Sequence, residues 1–74
     1  MEKFHVLMDR GKWVILRGND ERPLSLYRTQ AEANAAATAM ARRHRGELTF
    51  YDEHGKVRDW VSYSDELSAP RFLG

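Results

Sequence analysis

The longest regular pattern of apolar and polar positions spans residues 29–46 and predicts an amphipathic, alanine-rich helix. Thr29 is a typical N-cap residue, and Glu32 three positions later completes a capping box. Gly46 is predicted to take the left-handed conformation that ends the helix. Helical spacing predicts an inner stripe of Ala33, Ala36, Ala37, Met40, Ala41 and His44. The outer side then carries Asn34, Thr38, Arg42 and Arg45.

A hairpin is predicted before the helix, because residues 3–8 and 12–17 are rich in strand formers and flank Asp9-Arg10-Gly11. Two registers are open. A two-residue loop at Arg10-Gly11 puts Val6, Met8, Trp13 and Ile15 on one face. A type I turn with a glycine bulge puts Leu7 beside Trp13 instead, and a slip of one residue exchanges the faces.

A second hairpin is predicted after the helix, from residues 47–52 and 56–63 around Glu53-His54-Gly55. A loop at His54-Gly55 gives the best apolar match. That register places Leu48, Phe50, Val57 and Val61 on one face, with Asp59 near its edge. The opposite face then carries Tyr51, Arg58 and Trp60.

The predicted fold class is α+β with the order β-β-α-β-β, in which one helix packs on one face of a four-stranded antiparallel sheet. Residues 24–27 are expected to be extended, with Leu24 or Leu26 adding an edge contact. Residues 1–63 form the single predicted domain, and residues 64–74 form a predicted mobile tail in which Phe72 and Leu73 can dock on the sheet. The second sheet face is left uncovered.

Composition narrows the class of protein. The 74 residues include no cysteine, so disulfides and thiolate metal sites are excluded. No apolar run is long enough to span a bilayer, and the N-terminus lacks the features of a signal peptide, so a cytoplasmic protein with no membrane association is expected. Twelve basic residues nearly balance eleven acidic residues, and this balance supplies no strong steering field.

Several short segments, in order, resemble a family of small bacterial and phage proteins, the domain of unknown function number 2188. The segments are His5-Val6, Trp13 with Ile15, Thr29-Gln30-Ala31-Glu32-Ala33 with Ala37 and Ala41, Gly46-Glu47-Leu48, Gly55-Lys56-Val57 and Ser62-Tyr63. The resemblance covers about residues 4–65 and implies a hairpin-helix-hairpin fold, without an activity, cofactor or catalytic residue. Asn34 departs from a usually apolar position, and His54 departs from the usual aspartate before Gly55.

Candidate chemistry is sparse. The histidines at 5, 44 and 54 lack the spacing of a metal site, and the serines lack the context of a nucleophile. We therefore predict no enzyme, no cofactor and no metal. The run Arg42-Arg43-His44-Arg45 complements the helix dipole, and it is also a candidate for phosphate contact.

Two functional hypotheses follow. The first is a protein-interaction module that forms a homodimer, with Tyr51 and Trp60 in the interface and a host protein as another partner if the chain is of phage type. The second is a nucleic-acid-binding accessory protein that combines basic residues with an aromatic sheet face. Its candidate contacts are Arg42, Arg43, Arg45, Lys56 and Arg58.

Overall fold

The computed structural model describes residues 2–64. These residues form one helix and five strands. In chain order the elements are β1 (Lys3–Asp9), β2 (Lys12–Arg17), β3 (Ser25–Tyr27), α1 (Gln30–His44), β4 (Glu47–Tyr51) and β5 (Val57–Ser62). They assemble into one mixed sheet with the strand order β3-β2-β1-β4-β5, and the helix covers part of one face. Except for Ser64, the predicted tail at residues 64–74 lies outside the described residues.

The α+β class is confirmed, but the prediction of four antiparallel strands is wrong. The extended segment Ser25–Tyr27 is a full edge strand that pairs with β2. Strands β1 and β4 are parallel, with Phe4 opposite Leu48. The cause is the crossover through α1, because a helix packed on the sheet returns the chain in the direction of the preceding strand. That strand is β3, which is parallel to β1 because both are antiparallel to β2.

The two-residue register of the first hairpin is confirmed. Arg10 and Gly11 both have positive φ, at 53° and 82°. This is the conformation of a type I′ turn, whose twist matches that of the flanking strands. Met8 consequently pairs with Trp13 and Val6 with Ile15, so all four side chains face the helix.

The core lies between α1 and the centre of the sheet, where large side chains of β1, β2 and β4 meet small side chains of the helix. Its buried members are Phe4, Val6, Trp13, Ile15, Ala33, Ala37, Ala41 and Leu48. Ala36 and Met40 pack against this cluster, as the predicted stripe required. His44 is exposed, contrary to its predicted place on the inner stripe, although its ring centroid lies 5.8 Å from that of Phe4.

The helix begins as predicted and ends one residue early. The Glu32 backbone N–H donates to the Thr29 hydroxyl at 3.1 Å, which confirms the N-cap. The left-handed residue is Arg45, with φ 54°, rather than Gly46. Gly46 is buried against Glu2, where a Cβ would overlap the Glu2 carbonyl oxygen. The presence of glycine at position 46 is therefore explained by the close approach of two backbone segments and not by its φ.

The second hairpin contains a bulge that the sequence did not reveal. Leu48 pairs with Val61 and Phe50 with Asp59, as predicted, but Tyr51 pairs with Val57. Arg58 is thus the extra residue of β5. The three-residue loop explains the shift, because Gly55 has φ 86° and the Asp52 carboxylate accepts the N–H groups of His54 and Lys56. Val57 therefore leaves the predicted core face and is 62% exposed.

Candidate interaction face of the sheet

The face of the sheet opposite α1, called the open face below, carries two rows of mostly apolar side chains. Strand pairing aligns the first row as Leu16, His5, Thr49 and Trp60. The second row contains Leu26, Val14 and Leu7, followed by Tyr51 and Val57. Trp60, Leu26 and Val57 are each more than half exposed. An uncovered face was predicted, and the register now fixes its members.

The centre of the open face is a shallow apolar depression of about 310 Å³ lined by His5, Leu7, Leu16 and Tyr51, among others. The His5 imidazole Nδ1 and the Tyr51 hydroxyl form a hydrogen bond of 3.1 Å. Burial lowers the pKa of His5 below its ordinary value, and the nearby Lys3 adds to the effect. The neutral imidazole is therefore favoured, so the centre of the face carries no full charge at neutral pH.

The charged side chains of the open face stand at its two ends. Lys3 pairs with Glu47 at one end, and Asp9 pairs with Lys12 at the other. The two lysines and two carboxylates cancel, so each end is neutral. An apolar face with neutral ends does not repel a second copy of itself or another uncharged protein surface. It offers little electrostatic attraction to a polyanion such as nucleic acid.

The candidate nucleic-acid contacts do not form one surface. Arg42, Arg43 and Arg45 are exposed at the C-terminal end of α1, and the Arg42 guanidinium lies 5.7 Å from the centroid of the Tyr63 ring. Lys56 and Arg58 belong to the hairpin beside the N-terminal end of α1, where Arg58 and Gln30 line one cavity. The 15-residue helix separates the two groups by about 22 Å. Arg58 also lies on the helix side, not beside Trp60 as predicted.

A second feature lies on the helix side, between α1 and β5. It is a groove of about 330 Å³ lined by Gln30, Asn34, Phe50, Arg58 and Asp59, and it is called the α1–β5 groove below. The predicted outer position of Asn34 is wrong in part, because its Oδ1 is buried and has no hydrogen-bond partner. The available sequence signal was a single asparagine inside a run of alanines.

The other groups with shifted pKa values have structural causes. Arg17 donates two hydrogen bonds to Glu2, at 2.7 and 2.8 Å, which lowers the pKa of Glu2 and raises that of Arg17. The pKa of Asp52 is lowered by the turn amides that it accepts. Within residues 2–64, no group of three metal-ligating side chains converges. No helix in this range is long and apolar enough to cross a bilayer.

Comparison with known proteins places the chain in a family. A family model described as an uncharacterized protein conserved in bacteria, DUF2188, matches residues 4–63. The match covers most of the chain, so the protein belongs to this family. No curated protein and no solved structure matches it. The resemblance on the short segments is thereby confirmed.

Proposed function

We propose that this member of the DUF2188 family is a non-enzymatic protein-interaction module that self-associates through the open face. The observation that carries the proposal is the pair of apolar rows on the sheet face opposite α1, where Leu26, Val57 and Trp60 are each more than half exposed although Val14 is buried. Trp60 is 55% exposed at the end of one row. Contiguous exposed apolar surface on a small domain typically marks an interaction site.

The size of the open face suits a reversible homodimer. Five strands about 4.8 Å apart and about six residues long form a face of roughly 20 by 20 Å, or about 400 Å². Two such faces bury about 800 Å², which is below the usual size of a stable interface. At about 25 cal/mol per Å², the apolar part contributes on the order of 10 kcal/mol before the entropic cost of association. We therefore expect micromolar rather than permanent pairing.

Pairing through the sheet edges is less favourable than pairing through the face. The outer strand β3 has only three residues. On the other edge, the Trp60 backbone N–H already donates to the Asp59 carboxylate at 2.8 Å. Arg58 adds a bulge and a charge to the same strand, and both features oppose edge-to-edge pairing. A second copy is thus expected to use the two apolar rows.

The absence of catalysis is part of the proposal and rests on how the ionisable groups are used. His5 is held by Tyr51, Glu2 by Arg17, and Asp52 by the turn that it organises. Hydrogen bonds account for the lowered pKa values of Glu2 and Asp52, and burial accounts for the lowered pKa of His5. Perturbed groups that converge in a cleft are the usual mark of an active site. Here His5 lines the depression of the open face, whereas Asp52 lines a separate cavity beside Trp13 and Gln30.

The test is analytical ultracentrifugation from low micromolar to near-millimolar protein. Trp60→Glu is expected to weaken self-association at least about tenfold, because a carboxylate would be desolvated at the pairing face. Ala39→Glu is the matched control, because it adds the same charge at an exposed helix position. A folded wild-type protein that stays monomeric over this range contradicts the proposal, as does an equal effect of the two variants.

Nucleic-acid binding is the alternative proposal, and the exposed arginines at the end of α1 are the observation that favours it. Arg43 and Arg45 can approach a phosphate chain together with Arg42. Lys56 and Arg58 would need a separate contact at the far end of the domain. The neutral open face gives this alternative less support than it gives self-association.

A further inference from the structure

His5 is an ionisable residue at the centre of the open face. It belongs to β1, which is the middle strand of the sheet, and its neighbours along the row are Leu16, Thr49 and Trp60. The side chain is half-buried and lines the apolar depression. A change in the charge of His5 therefore alters the middle of the proposed pairing surface and not its rim.

The surroundings of His5 suit the neutral imidazole. The ring Nδ1 can accept the hydrogen bond from the Tyr51 hydroxyl, at 3.1 Å, and the single ring proton then stays on Nε2. Burial lowers the pKa of His5, and the positive charge of Lys3 adds to the effect. When a second proton binds, both ring nitrogens become donors and a full positive charge stands at the depression.

The other ionisable groups of the open face do not supply a counter-charge to His5. Among residues 2–64 they are Lys3 and Asp9 on β1, Lys12 on β2, and Glu47 and Tyr51 on β4. Each carboxylate already lies opposite a lysine, Glu47 opposite Lys3 and Asp9 opposite Lys12. The open-face positions of β3 and β5 add apolar side chains and a serine. A protonated His5 would thus have no carboxylate of its own.

We infer that His5 makes the proposed homodimer dependent on pH, so that protonation of its imidazole drives the two copies apart. The inference rests on the proposed self-association through the open face. Pairing would remove water from the depression, and a charge taken out of water without a partner is unfavourable. A two-fold dimer contains one His5 from each copy, so up to two protons are released when the copies associate.

The direction of the effect follows from which state binds more protons. The separated copies keep His5 in contact with water, and they therefore bind protons more readily than the dimer does. Lowering the pH consequently favours dissociation. With two protons per dimer, the dissociation constant is expected to rise at least about tenfold from about pH 7.5 to about pH 5.0.

The experiment measures the dimer dissociation constant by analytical ultracentrifugation at these two pH values. The ratio of the two constants is expected to be about ten or more for the wild type and about one for His5→Gln, whose amide stays neutral. His44→Gln and His54→Gln are the matched controls, because each removes one of the other two histidines at an exposed position. Both controls are expected to keep the wild-type ratio.

A reciprocal measurement uses the wild type alone. Titration of the His5 ring by NMR gives its pKa at protein concentrations below and above the dissociation constant. Linkage requires a lower pKa at the higher concentration, because the proton and the second copy oppose each other's binding. This result does not depend on whether His5→Gln still pairs.

A wild-type dimer that is equally stable at both pH values overturns this inference and leaves the proposed homodimer standing. The inference also fails if His5→Gln keeps the wild-type ratio, if the pKa of His5 is independent of protein concentration, or if circular dichroism shows that the wild type unfolds at the lower pH. A wild-type protein that is monomeric even at the higher pH contradicts the proposed function and this inference together, so the two failures are distinguishable.

Discussion

The helix end gives a test of the fold, because Arg45 has the left-handed conformation that was predicted for Gly46. Gly46 is the residue that the sequence assigns to the left-handed position, yet the positive φ belongs to Arg45. We expect Gly46→Ala to destabilise the protein and Arg45→Gly to stabilise it. The two changes act on adjacent residues, so they share the same surroundings.

The expected cost of Gly46→Ala comes from the backbone of Glu2. The added Cβ would overlap the Glu2 carbonyl oxygen, which also accepts the Glu47 N–H at 2.8 Å. That hydrogen bond stands at the start of the parallel pairing of β1 with β4. Overpacking typically costs about 1–3 kcal/mol, and the upper part of this range applies because a backbone atom must move.

The expected gain of Arg45→Gly is smaller. A non-glycine residue in the left-handed region costs about 1–2 kcal/mol, but glycine also loses more conformational entropy on folding. A net stabilisation of about 0.5–1 kcal/mol remains. The hydrogen bonds of this helix end join backbone atoms: the Arg45 N–H donates to the carbonyls of Ala41 and Arg42, and the Gly46 N–H donates to the carbonyl of Ala41. The substitution therefore keeps them.

Urea and thermal unfolding at one fixed protein concentration measure both changes. In a domain of this size, 1 kcal/mol shifts the Tm by about 4–8 °C. A Gly46→Ala variant as stable as the wild type, with a destabilised Arg45→Gly variant, would refute the reasoning. That result would indicate that Gly46, and not Arg45, has the left-handed backbone conformation.

Three further predictions concern the helix cap, pH and salt. Thr29→Ala is expected to cost about 0.5–2 kcal/mol in urea unfolding, and an unchanged midpoint would contradict the N-cap. The pKa of His5 is lower in the folded protein, so the unfolded chain binds more protons just below the ordinary value of 6.5. The free energy of unfolding should therefore fall as pH drops below about 6.5, and this loss should be smaller in His5→Gln; equal pH profiles would refute it. If Arg42, Arg43 and Arg45 bind duplex DNA, log K should fall by about 0.9 per log of salt for each phosphate neutralised, and no binding at low salt rejects this alternative.

The elements with local signals were predictable. The helix start rests on Thr29, and the first turn rests on Arg10-Gly11, whose pairing follows from a two-residue loop. The Leu48 and Phe50 pairs of the second hairpin were also predicted. In each case the determining interactions span only a few residues, so the sequence pattern contains them.

The predictions that were wrong concern features that depend on contacts between residues far apart in the sequence. The parallel pairing of β1 with β4 depends on the path of the whole crossover, and the three-residue strand β3 has too short a pattern to be recognised. Gly46 reads as a helix cap because sequence alone does not show the approach of Glu2. The bulge at Arg58 is equally hidden, and it moves that side chain into the groove. The groove was missed for this reason.

A single helix on a five-stranded sheet leaves two surfaces without a helix over them among residues 2–64. On its own side, α1 covers the centre of the sheet and leaves a polar groove beside β5, where Asn34 keeps an unpartnered oxygen. On the other side no helix covers the apolar rows among residues 2–64; Trp60 at their end is exposed, although Val14 within them is buried. An additional strand at either edge of the sheet would cover neither surface. It would also pair poorly, because β3 has only three residues and the Asp59 carboxylate already accepts the Trp60 N–H. Pairing through the open face, as proposed, would bury these apolar rows.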